Sequence, residues 1–202
     1  MASVYDLKPR FQNLLRPLCR VMARAGITAN QVTVAAAFLS LALGMAITLS
    51  AAAAWSLLLL PPLLFVRMAL NAIDGMLARE FRQKSRLGAL LNELGDVVSD
   101  AALYLPFAAI PAISGLLVGA VVAIAIITEM TGVIAVQIGA SRRYDGPFGK
   151  SDRALFFGGL ALALGLGIKP GSWSALMLAL AALAGLLTVV NRARGALLEK
   201  AA

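Results

Sequence analysis

The sequence predicts an all-α, polytopic membrane protein of six transmembrane helices behind an N-terminal amphipathic helix, and three observations lead there. Of 202 residues, 60% are hydrophobic and only 14% charged, with a mean hydropathy of +0.86, too apolar for a soluble domain. Several runs approach the roughly twenty apolar residues that cross a bilayer. Those runs do not alternate, as LLVGAVVAIAIIT at 116–128 illustrates. A membrane β-barrel would need period-2 alternation in segments of about ten residues.

The basic residues agree. The net charge of +8 would suit a nucleic-acid partner if it were spread over one surface. Instead Lys8, Arg10, Arg16, Arg20 and Arg24 precede the first span, and further groups lie at 79–86, 142–153 and 192–200. With six spans, sixteen of the eighteen basic residues fall on one side, leaving Lys169 opposite and Arg67 inside a span. This is the positive-inside pattern. It predicts a multi-pass protein of the inner (plasma) membrane with both termini cytoplasmic, partnered by lipid and not by nucleic acid.

Residues 1–27 hold no continuous apolar run and do not read as a cleavable signal peptide. Phe11, Leu14, Leu15, Leu18, Val21 and Met22 recur at helical spacing, while Arg16, Arg20 and Arg24 step along the other side. A basic amphipathic helix in the headgroup region follows, with a break near Pro17. Residues 28–202 form the six-helix domain.

The first span covers about 31–53, with Thr28 or Asn30 as its N-cap. The second, about 55–80, is kinked or begun by Pro61-Pro62 and carries Arg67, Asn71 and Asp74 on one face. Arg67 at that depth is either a partner for Asp74 or a phosphate ligand. A basic loop, 82–86, leads to the third span, about 87–110, where Gly88, Asn92, Asp96 and Asp100 follow at i+4 steps. Each step drifts by about 40°, so they form a slanted stripe about 18 Å long. The fourth span, about 114–138, holds Glu129, read as pairing with Arg67 or a neighbouring helix. The polar loop after it contributes Arg142, Arg143, Lys150 and Arg153, four cations suited to a phosphorylated ligand. The fifth and sixth spans, about 154–168 and 173–190, have no ionisable side chain, and Gly158, Gly159, Gly165, Gly167 and Gly185 suit close helix packing.

The chemistry concentrates in 71–100. Acidic groups are costly in hydrocarbon, so a cluster of them there marks a function. With no histidine and one cysteine, Cys19, a metal must be hard and oxygen-bound, and a base must be a carboxylate. Asn71, Asp74, Asn92, Glu93, Asp96 and Asp100 lie on two antiparallel helices joined by a short loop, and oxygen ligands among them can converge on Mg²⁺, Mn²⁺ or Ca²⁺ with help from substrate phosphates. Gly75 and Gly88 leave room for a substrate against the backbone. The inference is a metal-assisted site for a phosphate-containing ligand at the cytoplasmic face.

Asp74-Gly75-x-x-Ala78-Arg79, eight residues, Gly88, three residues, Asn92, three residues and Asp96 resembles the CDP-alcohol phosphotransferase signature, D-x2-D-G-x2-A-R-x8-G-x3-D-x3-D. Asn30-x-x-Thr33 and the arrangement of six spans behind an amphipathic helix are also similar to that family. Asn71 and Asn92 stand where its first and third aspartates stand; an amide carbonyl still ligates a hard cation, with two negative charges fewer, and Asp100 or Glu93 can restore charge. The resemblance implies that Asp74, Gly75, Ala78 and Gly88 line a cytidine diphosphate pocket with Asn30, Thr33 and Arg79 nearby. It implies transfer of a phosphatidyl group from CDP-diacylglycerol to a small alcohol with release of CMP, in phospholipid biosynthesis, by a homodimer. Either Asp96 is the base with Asp100 as its support, or Asp100 is the base beyond a metal held by Asp74 and Asp96. Arg67, Arg142, Arg143, Lys150 and Arg153 would serve a phosphorylated acceptor. Two competing readings are an ion-coupled small transporter and a family member that has lost its chemistry and acts as a binding protein.

Overall fold

A computed structural model describes the backbone of residues 4–199 and the side chains of residues 11–199. Lys8, Arg10 and Lys200, which entered the charge pattern, lie outside the described side chains. Among the described residues every regular element is helical: α1 (Val4–Arg24), α2 (Ala29–Leu49), α3 (Ala54–Leu58), α4 (Leu60–Glu80), α5 (Arg86–Tyr104), a 3₁₀ turn (Leu105–Ala109), α6 (Gly115–Gln137), α7 (Lys150–Gly165) and α8 (Ser172–Leu198).

Local chemistry sets most of these boundaries. Gly26, at φ +77°, ends the first helix in the left-handed conformation that glycine adopts without strain. The second begins with a reciprocal cap: Gln31 N–H donates to Thr28 Oγ1 at 3.3 Å, and Thr28 N–H to Gln31 Oε1 at 2.9 Å. Thr28, not Asn30, is therefore the cap. Pro61 and Pro62 fall in the first turn of α4, where missing N–H groups cost nothing, and the chain breaks between α3 and α4 just before them. Ser85 caps α5 by accepting from Gly88 N–H at 2.9 Å, and Ser114 caps α6 by accepting from Leu117 N–H at 3.4 Å. The expected break at Pro17 is absent: α1 runs unbroken from Val4 to Arg24.

Four helical stretches among the described residues are long and apolar enough to cross a membrane: Ala29–Leu49, Ala54–Glu80, Gly115–Gln137 and Ser172–Leu198. The other two expected spans fall short for different reasons. α5 carries Glu93, Asp96 and Asp100 within 19 residues. α7 has 16 residues, about 24 Å of helix against a hydrocarbon core of about 30 Å.

The chain divides into two compact units. The first comprises Met1–Leu41 and Pro62–Ser99. Its core gathers Cys19, Ala29, Val32, Ile73, Met76 and Leu77, with Leu15, Met22, Ala78 and Phe81 packed against them. Cys19 is fully buried among these apolar side chains, and burial pushes its thiol up. The apolar stripe of α1 thus splits: Leu15 and Met22 face this core, whereas Leu14, Leu18 and Val21 are exposed. Arg16 pairs with Glu80 at 2.9 Å, joining α1 to the end of α4.

The second unit comprises Ala42–Pro61 and Asp100–Ala202. Within it α6 packs along α8, α3 on α7 and the 3₁₀ turn on α6. A Cβ at Gly44 would collide with the carbonyl of Ala102, and one at Gly185 would lie 2.6 Å from Ile124 Cγ2. These two glycines permit close helix contacts. Gly165 does the same against Leu58, but Gly159 has open space and Gly167 turns the chain at φ +90° after α7.

Candidate active site

The first unit holds the signature residues. Asp74, 5% exposed, accepts from Thr33 Oγ1 at 2.8 Å, so the second turn of α2 fixes a carboxylate on α4. Arg67, two turns before Asp74 on the same helix face, is buried and donates from Nη2 to the carbonyl of Asp96 at 3.1 Å. The same nitrogen lies 3.5 Å from Asp96 Oδ1, joining α4 to α5. Asp96 keeps a side-chain exposure of 24%. Asn71 and Asn92 are half-buried on the same two helices.

Side chains of the chain itself lie beside both glycines that were expected to leave room for a substrate. A Cβ at Gly88 would stand 2.6 Å from Asn30 Oδ1 and 3.0 Å from Ser85 Oγ, so Asn30 occupies the space that Gly88 leaves. At Gly75 a Cβ would meet the guanidinium of Arg79 at 2.9 Å, a flexible neighbour that can move. Ala78 packs on the core beneath.

The donors Asp74, Asp96, Asn71 and Asn92 are all hard oxygens, which fits one divalent cation that completes its shell with phosphate oxygens. Among the described residues no three acidic or cysteine side chains gather closely enough to hold an ion by themselves. The two amides, or a ligand, would have to supply what the missing carboxylates do not.

The second unit contains a buried ion-pair network. Asp100, one turn after Asp96 on α5 and 4% exposed, accepts from Arg153 Nε at 3.0 Å, and Arg153 Nη2 lies 2.9 Å from the same oxygen. Arg153 Nη2 also donates to Glu129 Oε1 at 2.9 Å. Arg142 Nη2 reaches Glu129 Oε2 at 2.9 Å and Arg192 Nη1 reaches it at 3.3 Å. Glu129 therefore pairs with these three arginines and not with Arg67, correcting one option read from the sequence. Arg143 bridges Asp145 at 2.7 Å and Glu199 at 2.8 Å. Hydrogen bonds from Ser141, then Arg143, hold the Glu199 carboxyl below its usual value, and Asp145 raises the Arg143 guanidinium further. Lys150 opens α7.

Arg192 was missed by sequence reasoning as anything but a topological charge. The last helix was expected to end near 190, but α8 continues to Leu198 and carries Arg192 inward, 2% exposed. The available signal was Glu129, a buried acid that needed a cation.

A family model described as CDP-alcohol phosphatidyltransferase matches residues 26–191. Inner membrane protein YnbA of Escherichia coli (strain K12) is 48% identical over 199 residues, covering 98% of each chain. Two crystal structures of Mycobacterium tuberculosis phosphatidylinositol phosphate synthase, PgsA1, share the fold. The one with CDP-DAG bound superposes with a TM-score of 0.74 at 20% identity, over 92% of this chain and 97% of that one. The complex with manganese and citrate gives the same score and identity over 92% of each chain.

Proposed function

The chain belongs to the CDP-alcohol phosphatidyltransferase family, and from that premise we propose that it transfers a phosphatidyl group from CDP-diacylglycerol to a small alcohol and releases CMP. The observation that carries this reading is the pair of fixed carboxylates in one unit: Asp74 held by Thr33, and Asp96 flanked by Arg67.

The acceptor hydroxyl attacks the phosphorus that bears diacylglycerol, forming an O–P bond as the bond to the CMP oxygen breaks. The hydroxyl proton goes to a carboxylate. Asp96 fits that role better than Asp100, because Asp96 retains exposure while Asp100 is buried against Arg153. Asn30, Thr33, Gly75, Ala78, Arg79 and Gly88 frame the cytidine diphosphate, with Gly88 allowing Asn30 to lie against α5. Mg²⁺ or Mn²⁺ held by Asp74, Asp96, Asn71 and Asn92 would, when bound, neutralise the diphosphate and favour departure of CMP. Exclusion of bulk water, the competing nucleophile, by the surrounding helices would favour transfer over hydrolysis. The six-span arrangement, a cytoplasmic site in the inner membrane and a homodimer belong to the same proposal; the inner-membrane relative and the four membrane-capable helices support it.

The experiment is CMP release by the detergent-purified protein from CDP-diacylglycerol with a panel of alcohols, with Asp74→Ala and Asp96→Ala as controls. CMP formed with an acceptor and lost in both variants supports the reading. Stabilisation by cytidine nucleotides without CMP from any acceptor favours the binding-protein reading, which Asn71 and Asn92 motivate. Absence of cytidine-specific stabilisation would return the transporter reading.

A further inference from the structure

The first turn of α2 opens with backbone donors that its own carbonyls cannot reach. The reciprocal cap of Thr28 and Gln31 satisfies the N–H groups of those two residues. Ala29 N–H, buried between them, is taken by a residue 54 positions further along the chain: it donates to Gln83 Oε1 at 2.7 Å. The other end of the same amide, Nε2, lies 3.5 Å from the Ile27 carbonyl. One side chain thus bridges the backbone on both sides of Thr28, its acceptor toward a donor and its donor toward an acceptor. Residue 83 is among the eight unspecified positions between Arg79 and Gly88, so the signature gives it no role.

The turn that Gln83 holds reaches the candidate site at two points. Asn30 Oδ1 fills the space over Gly88. Thr33 Oγ1, which lies 3.1 Å from the Ala29 carbonyl, donates to Asp74 Oδ2 at 2.8 Å. The loop carrying Gln83 is fixed at its far end, where Ser85 accepts from Gly88 N–H at 2.9 Å. Immediately before Gln83, Arg82 adopts φ +57°, a left-handed conformation disfavoured for an L-residue, so the loop holds strain where it turns toward α2. All of these residues belong to the first unit.

We propose that Gln83 is a positioning residue for the cytidine diphosphate pocket: it clamps the first turn of α2, so that Asn30 rests on Gly88 before the nucleotide arrives. Its amide is spent on backbone, and it acts through Asn30. Without the clamp the turn frays, and apparent affinity falls in proportion to the fraction of molecules whose pocket is assembled. Saturating donor draws the population back to the assembled form, so turnover at saturation is kept. This separates Gln83 from Thr33, which acts on a carboxylate. The inference rests on the phosphatidyl-transfer reading for what fills the pocket, but the clamp is a property of the first unit by itself.

Gln83→Met keeps the length of the side chain and removes both contacts. Well below its unfolding midpoint the variant is expected to raise the Kd for CMP and the KM for CDP-diacylglycerol together by about three- to tenfold, with kcat changed less than about twofold. A lower midpoint with an unchanged Kd would make Gln83 a structural cap only and overturn the proposal, as would a loss of kcat at unchanged KM. A double-mutant cycle checks the route: Gln83→Met added to Asn30→Ala should weaken CMP binding by no more than about twofold, whereas additive losses overturn action through Asn30. Amide exchange of the wild type keeps the clamp testable whether or not any variant folds. Ala29 N–H is expected to be protected like the interior of α2, and exchange at the rate of a frayed terminus overturns the clamp. If the wild type binds no cytidine nucleotide, the phosphatidyl-transfer reading fails and the pocket role with it, while exchange at Ala29 still decides whether Gln83 holds the turn.

Discussion

Thr33 Oγ1 donates to Oδ2 of Asp74 across 2.8 Å, and both side chains are buried. The hydroxyl has one proton and also lies 3.1 Å from the Ala29 carbonyl. The carboxylate is the nearer and the charged acceptor, so the proton belongs mainly to it. Asp74 is thereby aimed by another helix before any ligand arrives.

Thr33→Val keeps the shape and removes this donor. A hydrogen bond to a charged group is worth about 1.5–3 kcal/mol, so the variant is expected to unfold at lower temperature and release CMP about tenfold more slowly. Thr33→Ser should retain most of both. Equal rates for Thr33→Val and wild type would show that the hydroxyl does not position Asp74.

Asp74→Asn and Asp96→Asn preserve volume while removing the two signature charges left beside Asn71 and Asn92. Each is expected to lower CMP formation by about 10²-fold or more, the size of a general-base or charge-stabilising contribution. Chelation of divalent ions should stop wild-type turnover, and Mg²⁺ or Mn²⁺ should restore it. Turnover that persists in chelator would remove the metal from the proposal.

Three glycines give a graded series. Gly88→Ala drives a methyl against Asn30 and Ser85, so cytidine nucleotide affinity and activity should fall sharply. Gly75→Ala meets only the mobile Arg79 guanidinium and should be milder. Gly95→Ala places its methyl 3.8 Å from Thr33 Cγ2, an ordinary contact, and should raise stability by about 0.5–1 kcal/mol through helix propensity. Thermal unfolding and nucleotide titration of the three proteins check the order.

Acidification should release the contact between Glu199 and Ser141. The folded protein holds the Glu199 carboxyl below its ordinary value of 4.5. The unfolded chain therefore binds that proton more readily, so the contribution is complete above 4.5 and is lost as pH falls through the folded value. The midpoint difference between wild type and Glu199→Gln should be open near neutrality and close on acidification. A difference independent of pH would assign it to packing.

The sequence made the helical class and the signature legible because both are local. Periodicity marks the helices, and the spacing from Asp74 to Asp96 survives any detail of packing. Helix starts were half legible: Thr28 and Gln31 form the expected type of cap, but only geometry distinguishes Thr28 from Asn30. The network around Glu129 was not legible, because its cations come from 13, 24 and 63 residues away. Hydropathy sees Arg192 as a charge that ends a span. Glu129 compensates that charge, so the helix continues through it.

The segment joining α6 to α7 is laced to its surroundings through Arg142, Arg143, Ser141 and the N–H of Phe148, which donates to Thr188 Oγ1 at 2.9 Å. Despite its polar composition it is a poor host for a foreign peptide: an epitope tag or protease site inserted at 141–148 would cut those tethers and report on a damaged protein. The bend after α7 suits grafting better, since Leu166, Ile168 and Lys169 are exposed there. A labelling cysteine placed beside Lys169 there would identify the compartment that bend faces while leaving the arginine-rich joint intact.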